Sequence, residues 1–341
     1  MTETLAEIGE FGLIDRIDEL LKKEGIKGSG VILGIGDDAA SFIPNDGYEL
    51  LVTCDCMVEG RHYLADRILP FDLGRRSMVM NISDIGAMGG RPMYALVSLG
   101  LKVDTPVTHV EAMYRGFMSE LAPFEASIIG GNITRSDLSA FIDITLIGEV
   151  EREIMMRRSS ARPGDLILVT GYPGEAAAGL RLLTEAGDSK DLQDHPLVRA
   201  YNCPSHRAKE GRALALSGFA TSMIDISDGL LGDLGHICQG SSVGAELIQE
   251  KLPVSDNMRD VIPSIGMDLY DIVMKDSDDY ELIVTCLPEN ADRISSIVED
   301  IGSTSVTEIG RITSVTGGIR LILPDNSQRE IIPAGWDHFK R

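Results

Sequence analysis

Six aspartates stand in small, polar or glycine-rich stretches that interrupt apolar ones. Asp37 and Asp38 lie in Gly-Ile-Gly-Asp-Asp-Ala-Ala (34–40), and Asp55 in Thr-Cys-Asp (53–55). Asp84 lies in Asn-Ile-Ser-Asp (81–84), and Asp225 and Asp228 in Asp-Ile-Ser-Asp-Gly (225–229). Gathered carboxylates repel: two like charges roughly 4 Å apart cost about 4 kcal/mol at an effective dielectric of about 20. A chain that collects them needs a cation or a proton to hold them together. Asp and Gly are also ordinary turn residues, so a solvated turn accounts for any one of these stretches alone. Their recurrence argues for a shared task. Hard oxygen ligands suit Mg²⁺, which is held by a few carboxylates, waters and substrate phosphates. Phosphoryl transfer asks mainly for positioning and charge neutralisation. The pattern therefore points to a Mg²⁺-dependent phosphotransferase that uses ATP.

The elements that must position these residues can be read from periodicity. In the first half, apolar spacing predicts a helix over 11–24 and a strand over 31–35 that runs into the acidic turn. A buried strand over 48–54 places Asp55 at its end. A helix over 72–88 carries Asn81 and Asp84 three residues apart, on one face. Polar groups inside so apolar a helix are costly to bury unless paired. A strand over 93–101, a helix over 106–124 carrying Tyr114, a short strand over 127–129 leading into Gly130-Gly131-Asn132, and a strand over 141–150 complete this half. Residues 157–165, Arg-Arg-Ser-Ser-Ala-Arg-Pro-Gly-Asp, read as a linker.

In the second half, strands are predicted over 166–170, 219–224, 280–286, 306–309 and 319–323, and helices over 175–183, 205–216, 230–238 and 290–299. The Ile-Ser-Asp of 82–84 returns at 226–228, a hint of duplicated architecture. Alternating strands and helices make the class α/β or α+β, with domains expected at 1–150 and 151–341.

Composition narrows the partners. The 341 residues suffice for two domains with sizeable cores. A net charge of −22 disfavours nucleic acid, which is bound by neutralising phosphates with Lys and Arg, and anionic membrane surfaces. Divalent cations can still bridge such a chain to an anionic ligand. The five cysteines, Cys54, Cys56, Cys203, Cys238 and Cys286, form no C-x-x-C and indicate neither a disulfide framework nor a zinc site. A reducing, cytoplasmic setting is expected. The chain start lacks a signal-peptide pattern, and no run of about 18 apolar residues suggests a membrane span. The strict dinucleotide fingerprint fails because Ala39 stands where its third glycine belongs, and no P-loop or nucleophile-elbow motif occurs.

As an ordered set the motifs resemble the thiamine-monophosphate kinase family, of the superfamily that includes aminoimidazole ribonucleotide synthetase and selenophosphate synthetase. The resemblance runs through Gly-Glu-Phe (9–11), the acidic turn (34–40), Thr-Cys-Asp-Cys-Met-Val-Glu-Gly-Arg-His-Tyr (53–63) and Asn-Ile-Ser-Asp-Ile-Gly-Ala-Met-Gly (81–89). It continues through Gly-Gly-Asn (130–132), Arg-Ser-Ser-Ala-Arg-Pro-Gly-Asp (158–165), Asp-Ile-Ser-Asp-Gly-Leu (225–230), Asp-Tyr-Glu-Leu (279–282) and Gly-Trp-Asp-His-Phe (335–339). It covers nearly the whole chain. It implies a two-domain aminoimidazole ribonucleotide synthetase-like fold. The first domain would bind ATP and metal and carry the dimer contact, and the second would complete the nucleotide and substrate site.

The activity implied is direct, in-line transfer of the ATP γ-phosphate to thiamine monophosphate, with no phospho-enzyme and no catalytic side chain. Several Mg²⁺ ions are implied at Asp38, Thr53, Cys54 (through its backbone oxygen), Asp55, Asp84, Asp225 and Asp228. ATP contacts are implied at Tyr114, Gly131, Asn132, Arg158 and Ser227, and substrate contacts at His62, Asp278 and Trp336. A homodimer is implied as well.

Three positions depart from the family pattern. Asn132 follows Gly-Gly where Asp is usual, keeping an oxygen for metal but losing a charge. Cys54 stands where Ser or Thr is usual. Asp276-Ser277-Asp278 replaces Gly-Gly-Glu, which bears on the substrate contact at Asp278. These leave open another ATP-dependent phosphotransferase or synthetase of the superfamily, or a non-catalytic nucleotide-binding paralogue.

Overall fold

In a computed structural model of the chain, the residues described are 3–25, 30–35, 39–185, 192–275, 277–314 and 318–331. The chain divides into two compact units, one of 1–85 with 90–152, the other of 86–89 with 153–341.

The first unit begins with helix α1 (Leu5–Glu24), which starts ahead of the predicted 11–24. Glu7 accepts a hydrogen bond from the Thr4 amide, satisfying a donor at the helix start, and Gly9 kinks the helix at φ 69°. Strands β1 (Val31–Leu33) and β2 (Ser41–Phe42) form an antiparallel ribbon. Then come β3 (Tyr48–Val58), α2 (Pro70–Ala87), β4 (Arg91–Leu101), α3 (Val107–Leu121), β5 (Ser127–Arg135) and β6 (Phe141–Glu151). Four of these strands form a sheet in the order β3-β6-β4-β5, with β4 and β5 parallel across α3 and the other pairs antiparallel.

Alternation along β3 separates the two faces. Leu51 and Met57 are buried, whereas Leu50 and Val52 are 45% and 66% exposed. Helix α2 covers the buried face: Ser77 Oγ lies 3.1 Å from Met57 Sδ, and Thr53 Oγ1 donates to Asp84.

Two strands outrun their sequence signals. β3 continues past Cys54 because β6 pairs with it as far as Val58, which puts Asp55 inside the strand and not at its end. β5 continues through Gly130-Gly131-Asn132 to Arg135 because β4 offers a partner throughout. Strand pairing overrides the low β propensity of glycine here.

The second unit runs β7 (Leu166–Thr170), α4 (Glu175–Glu185), α5 (Pro196–Asn202), α6 (Ala208–Ser217), β8 (Ala220–Asp225), α7 (Leu230–Ser241) and β9 (Gly244–Ile248). It continues α8 (Asp256–Val261), α9 (Leu269–Met274), β10 (Leu282–Cys286), α10 (Ala291–Ile301), β11 (Val306–Thr313), β12 (Ile319–Ile322) and β13 (Gln328–Ile331). The seven strands pair in the order β13-β12-β9-β11-β7-β10-β8.

Both faces of this sheet are buried. Ile167, Val169, Ile224 and Ile283 join one core with α7 residues Leu230 and Leu234. Leu168, Leu282 and Val284 join another with Leu214, Ile294 and Val298. Burial on both faces is why β7 and β10 read as continuous apolar runs rather than as alternation.

Residues 157–165 are not a free linker. Arg158–Ser160 form a short 3₁₀ turn whose Arg158 carbonyl accepts from Ser241 Oγ at 2.8 Å. Buried Asp165 accepts from Thr221 Oγ1 at 2.7 Å and from the Arg162 amide at 2.9 Å. The repeated Ile-Ser-Asp likewise takes two forms, helical in α2 and a turn between β8 and α7.

Candidate active site

Asp38 and Trp336 lie outside the described residues, as does Asp276. The remaining site residues fall into groups, each considered within its own unit.

In the first unit, Thr53 and Asp55 alternate with Cys54 along β3 and share the face covered by α2. The Thr53 hydroxyl donates to the half-buried Asp84 carboxylate. Asn81, one turn earlier on α2, is fully buried, and its Nδ2 donates to the Ser77 carbonyl at 3.2 Å. The oxygens of Thr53, Asp55 and Asp84 make a hard donor set suited to Mg²⁺.

Cys54 faces the other way. Its Sγ lies 3.3 Å from Asp143 Oδ1, and Thr145 Oγ1 donates to it at 3.5 Å. Only its backbone oxygen, in the plane of the strand, remains suitable as a ligand beside Thr53 and Asp55.

Asn132 does not join the metal group within one chain. It is in register with Ser98, which is in register with Asp143, which in turn pairs with Cys56. Directly paired residues point to the same side, so Asn132 shares the Cys54 face. Three strand spacings of about 4.8 Å separate its strand from that of Asp55, too far for one ion. Asn132 and neighbouring Gly131 are exposed.

Tyr114 is also set apart. It is 3% exposed on α3, its ring 5.2 Å from that of Phe117, and burial raises its hydroxyl pKa. It belongs to the core of the first unit.

His62 follows β3 in a turn, and its Nδ1 accepts the Val58 amide at 2.9 Å. In the neutral ring the proton then sits on Nε2, a donor facing away from that bond.

The second unit brings five of the predicted residues into one neighbourhood. Asp225 ends β8, nearly buried at 3% exposure. Ser227 and Asp228 form the turn into α7, whose first residue follows Gly229 at φ 96°. That turn stands at a helix N-terminus, where orphan amides and the helix dipole favour anions. The β10 strand pairs Leu282 with Asp225. Ahead of it, the Tyr280 amide donates to the Ile226 carbonyl at 2.8 Å, and the Ile226 amide to the Glu281 carbonyl at 2.7 Å. Half-buried Asp278 is thereby carried to the same turn. Tyr280 adopts φ 54°, a left-handed conformation rare for a bulky residue. Arg158 sits on the 3₁₀ turn beside α7 and β8.

Sequence reasoning missed two buried carboxylates here. Asp233 on α7 accepts the amides of Ser227 and Asp228, each at 3.0 Å. Burial raises its pKa to about 7, although those two amides pull the other way. Asp279 accepts the amides of Gly174 (2.6 Å) and Ala176 (2.9 Å) at the start of α4. The signal for Asp233 was present: a charge set into apolar Leu-Leu-Gly-Asp-Leu (230–234) must be paired to be buried. Among the described residues, Asp228, Asp233 and His236 offer ligand atoms within 4.8 Å of one another. Asp228 thus has the surroundings of a cation ligand.

The sequence matches two family models, the AIR synthase related protein N-terminal domain over residues 36–150 and the corresponding C-terminal domain over residues 162–322. Fold and site together define a two-domain α/β protein of the AIR synthase-related class. A relative in Aquifex aeolicus (strain VF5), a thiamine-monophosphate kinase, is 33% identical over 335 residues, covering 98% of this chain and 99% of its own. The thiamine-monophosphate kinase of Stenotrophomonas maltophilia K279a superposes with a TM-score of 0.80 at 33% identity, over 92% of this chain and 96% of that one. AaThiL complexed with AMPPCP and TMP superposes with a TM-score of 0.75 at 32% identity, over 99% of this chain and 100% of that one. The chain belongs to the thiamine-monophosphate kinase family.

Proposed function

We propose a direct, in-line mechanism for the activity of this family member. The chain is a kinase that transfers the γ-phosphate of ATP to thiamine monophosphate, giving thiamine diphosphate and ADP. The attacking group is a phosphate oxygen, already charged at neutral pH, so the reaction needs no general base. No side chain becomes phosphorylated. The work of the protein is to bring two anionic phosphates together in line.

The observation that carries this reading is the Asp225–Asp228 turn at the N-terminus of α7, with Arg158 and Asp278 alongside. Arg158 and Ser227 contact the ATP phosphates there; a guanidinium is a permanently charged planar donor matched to phosphate. Gly131 and Asn132 contribute further nucleotide contacts from β5. Mg²⁺ would be held by Asp55, Asp84, Thr53 and the Cys54 carbonyl in the first unit and by Asp225 and Asp228 in the second, with Asp38 joining them. It would neutralise phosphate charge and orient the transferring group. His62 donates from Nε2 to the acceptor, Asp278 contacts it, and Trp336 stacks on a thiamine ring.

The protein acts as a homodimer in the cytoplasm. Five free cysteines fit a reducing compartment, and among the described residues no helix is long and apolar enough to cross a membrane. The dimer reading is supported by the open face of the first unit's sheet, which exposes Leu50 and Val52.

The test offers the purified protein ATP and Mg²⁺ with thiamine monophosphate, free thiamine or an aminoimidazole-pathway amidine, with and without a chelator. Formation of thiamine diphosphate only from the monophosphate, abolished by the chelator and restored by Mg²⁺, is expected. Turnover confined to another acceptor, or unaffected by the chelator, overturns the reading.

A further inference from the structure

We infer that Asp233 is a positioning residue for the nucleotide and metal turn, acting through its acceptor oxygen and not as a metal ligand. The inference rests on the assignment of Ser227 and Asp228 to ATP and Mg²⁺ made above. Asp233 is 2% exposed on α7, one turn into the helix from the residues it holds. Its Oδ2 accepts both the Ser227 and the Asp228 amides at 3.0 Å. One oxygen thus fixes the backbone of two adjacent residues, each with its side chain assigned to the reaction.

The two bonds to Asp233 fix the middle of the turn, between the β8–β10 pairing at one end and the start of α7 at the other. The turn begins where β8 ends at Asp225 and closes at Gly229, whose φ of 96° lets the chain enter α7. Two consecutive amides directed at one carboxylate turn both N–H groups inward, toward α7. The Ser227 and Asp228 side chains are left half-exposed. A carboxylate oxygen of Asp233 lies within 4.8 Å of ligand atoms of Asp228 and His236, but the bonds that define its conformation are the two amides.

Steady-state kinetics of the intact protein separate orientation from ligation. Replacing Asp233 by Ala removes the acceptor. It is expected to raise both the KM for ATP and the Mg²⁺ concentration at half-maximal rate by about tenfold, with the KM for thiamine monophosphate changed less than about threefold. Asp233→Asn keeps an oxygen acceptor without the charge and is expected to rescue all three to within about threefold of wild type. Equal losses in the Ala and Asn variants point to charge or direct ligation and overturn the inference; so does an unaffected Ala variant.

Hydrogen exchange on the wild-type protein without nucleotide keeps the inference testable should the Ala variant fail to fold. The Ser227 and Asp228 amides are expected to exchange at least about a hundredfold more slowly than an unprotected peptide, and unprotected amides overturn the proposal. Ser227→Ala and Asp228→Asn serve as controls. If neither shifts the ATP or Mg²⁺ response, the assignment of the turn is what fails, and the inference falls with it. If they shift it and Asp233→Ala does not, only the inference falls.

Discussion

Asp84 shows what a single charge does in this molecule. It accepts a hydrogen bond from Thr53 across the gap between α2 and β3, on the same face as Asp55. Asp84→Asn preserves volume and an acceptor for Thr53 but removes the charge that would hold a cation. The expected outcome is a fall in kcat of at least about a hundredfold with the thermal midpoint nearly unchanged. Asp55→Asn should behave alike, and near-wild-type turnover in both would remove the metal from this face. In the proposed function His62 serves the other substrate. With Nδ1 accepting the Val58 amide, the neutral ring carries its proton on Nε2, the donor proposed to meet a phosphate oxygen. His62→Ala is expected to raise the KM for thiamine monophosphate by about tenfold while the KM for ATP stays put, since one charge-assisted hydrogen bond is lost. A rise in both would place the ring elsewhere.

At the scale of elements, β5 depends on a glycine. A Cβ on Gly131 would lie 1.9 Å from the Val97 carbonyl of β4, an approach no other residue permits. Gly131→Ala should therefore break the β4–β5 pairing, lowering the thermal midpoint by several degrees and raising the KM for ATP together. An unchanged melting curve would contradict the observed strand spacing.

Buried Asp279 gives the second unit a pH dependence. Burial raises its pKa from 3.8 to about 7, against the pull of two α4 amides and with the push of neighbouring Glu281. A carboxyl with a raised folded-state pKa binds more protons folded than unfolded between those values. Its contribution is complete below about pH 4 and is lost as pH rises through about 7. Asp279→Asn should flatten the fall in stability between pH 5 and 8 measured by denaturant unfolding; an unchanged slope would mean the carboxyl is already ionised in the folded state.

The same elements show what the sequence discloses and what it conceals. β7 and β10 were legible because burial on both faces demands unbroken apolar runs. β13, Gln-Arg-Glu-Ile, was not: as an exposed edge strand it carries no alternation. α8 and α9 are six residues each, and the Ser255 and Asp268 caps define them more than any periodicity does. The carboxylates were found by chemistry, but Asp55 and Asn132 were misplaced because only tertiary pairing carries β3 and β5 beyond their local signals. Tyr114 stands at helical spacing with Val110, Phe117 and Leu121, the apolar stripe that buries it.

For the whole molecule, the open sheet face decides the proposed assembly. The first unit covers one side of β3-β6-β4-β5 with helix and leaves the other to solvent, with Val52 66% and Leu50 45% exposed on β3. Cys54 and Cys56 stand on the same side of that strand and are exposed as well. A chain of net charge −22 resists non-specific association with its own copies, so a dimer needs a face where charge is sparse. This strand offers one: apolar and thiol side chains alternate with the inward residues from Leu50 to Cys56, and of the carboxylates opposite them Glu149 is buried against Arg91 while Asp143 lies against Cys54. Val52→Lys combined with Leu50→Lys puts two charges on that strand without touching the core on its other side. The expected result is a wild-type dimer and a monomeric double variant by light scattering, with circular dichroism and thermal midpoint preserved. A variant that remains dimeric would move the contact to another surface, and a wild-type monomer would remove it.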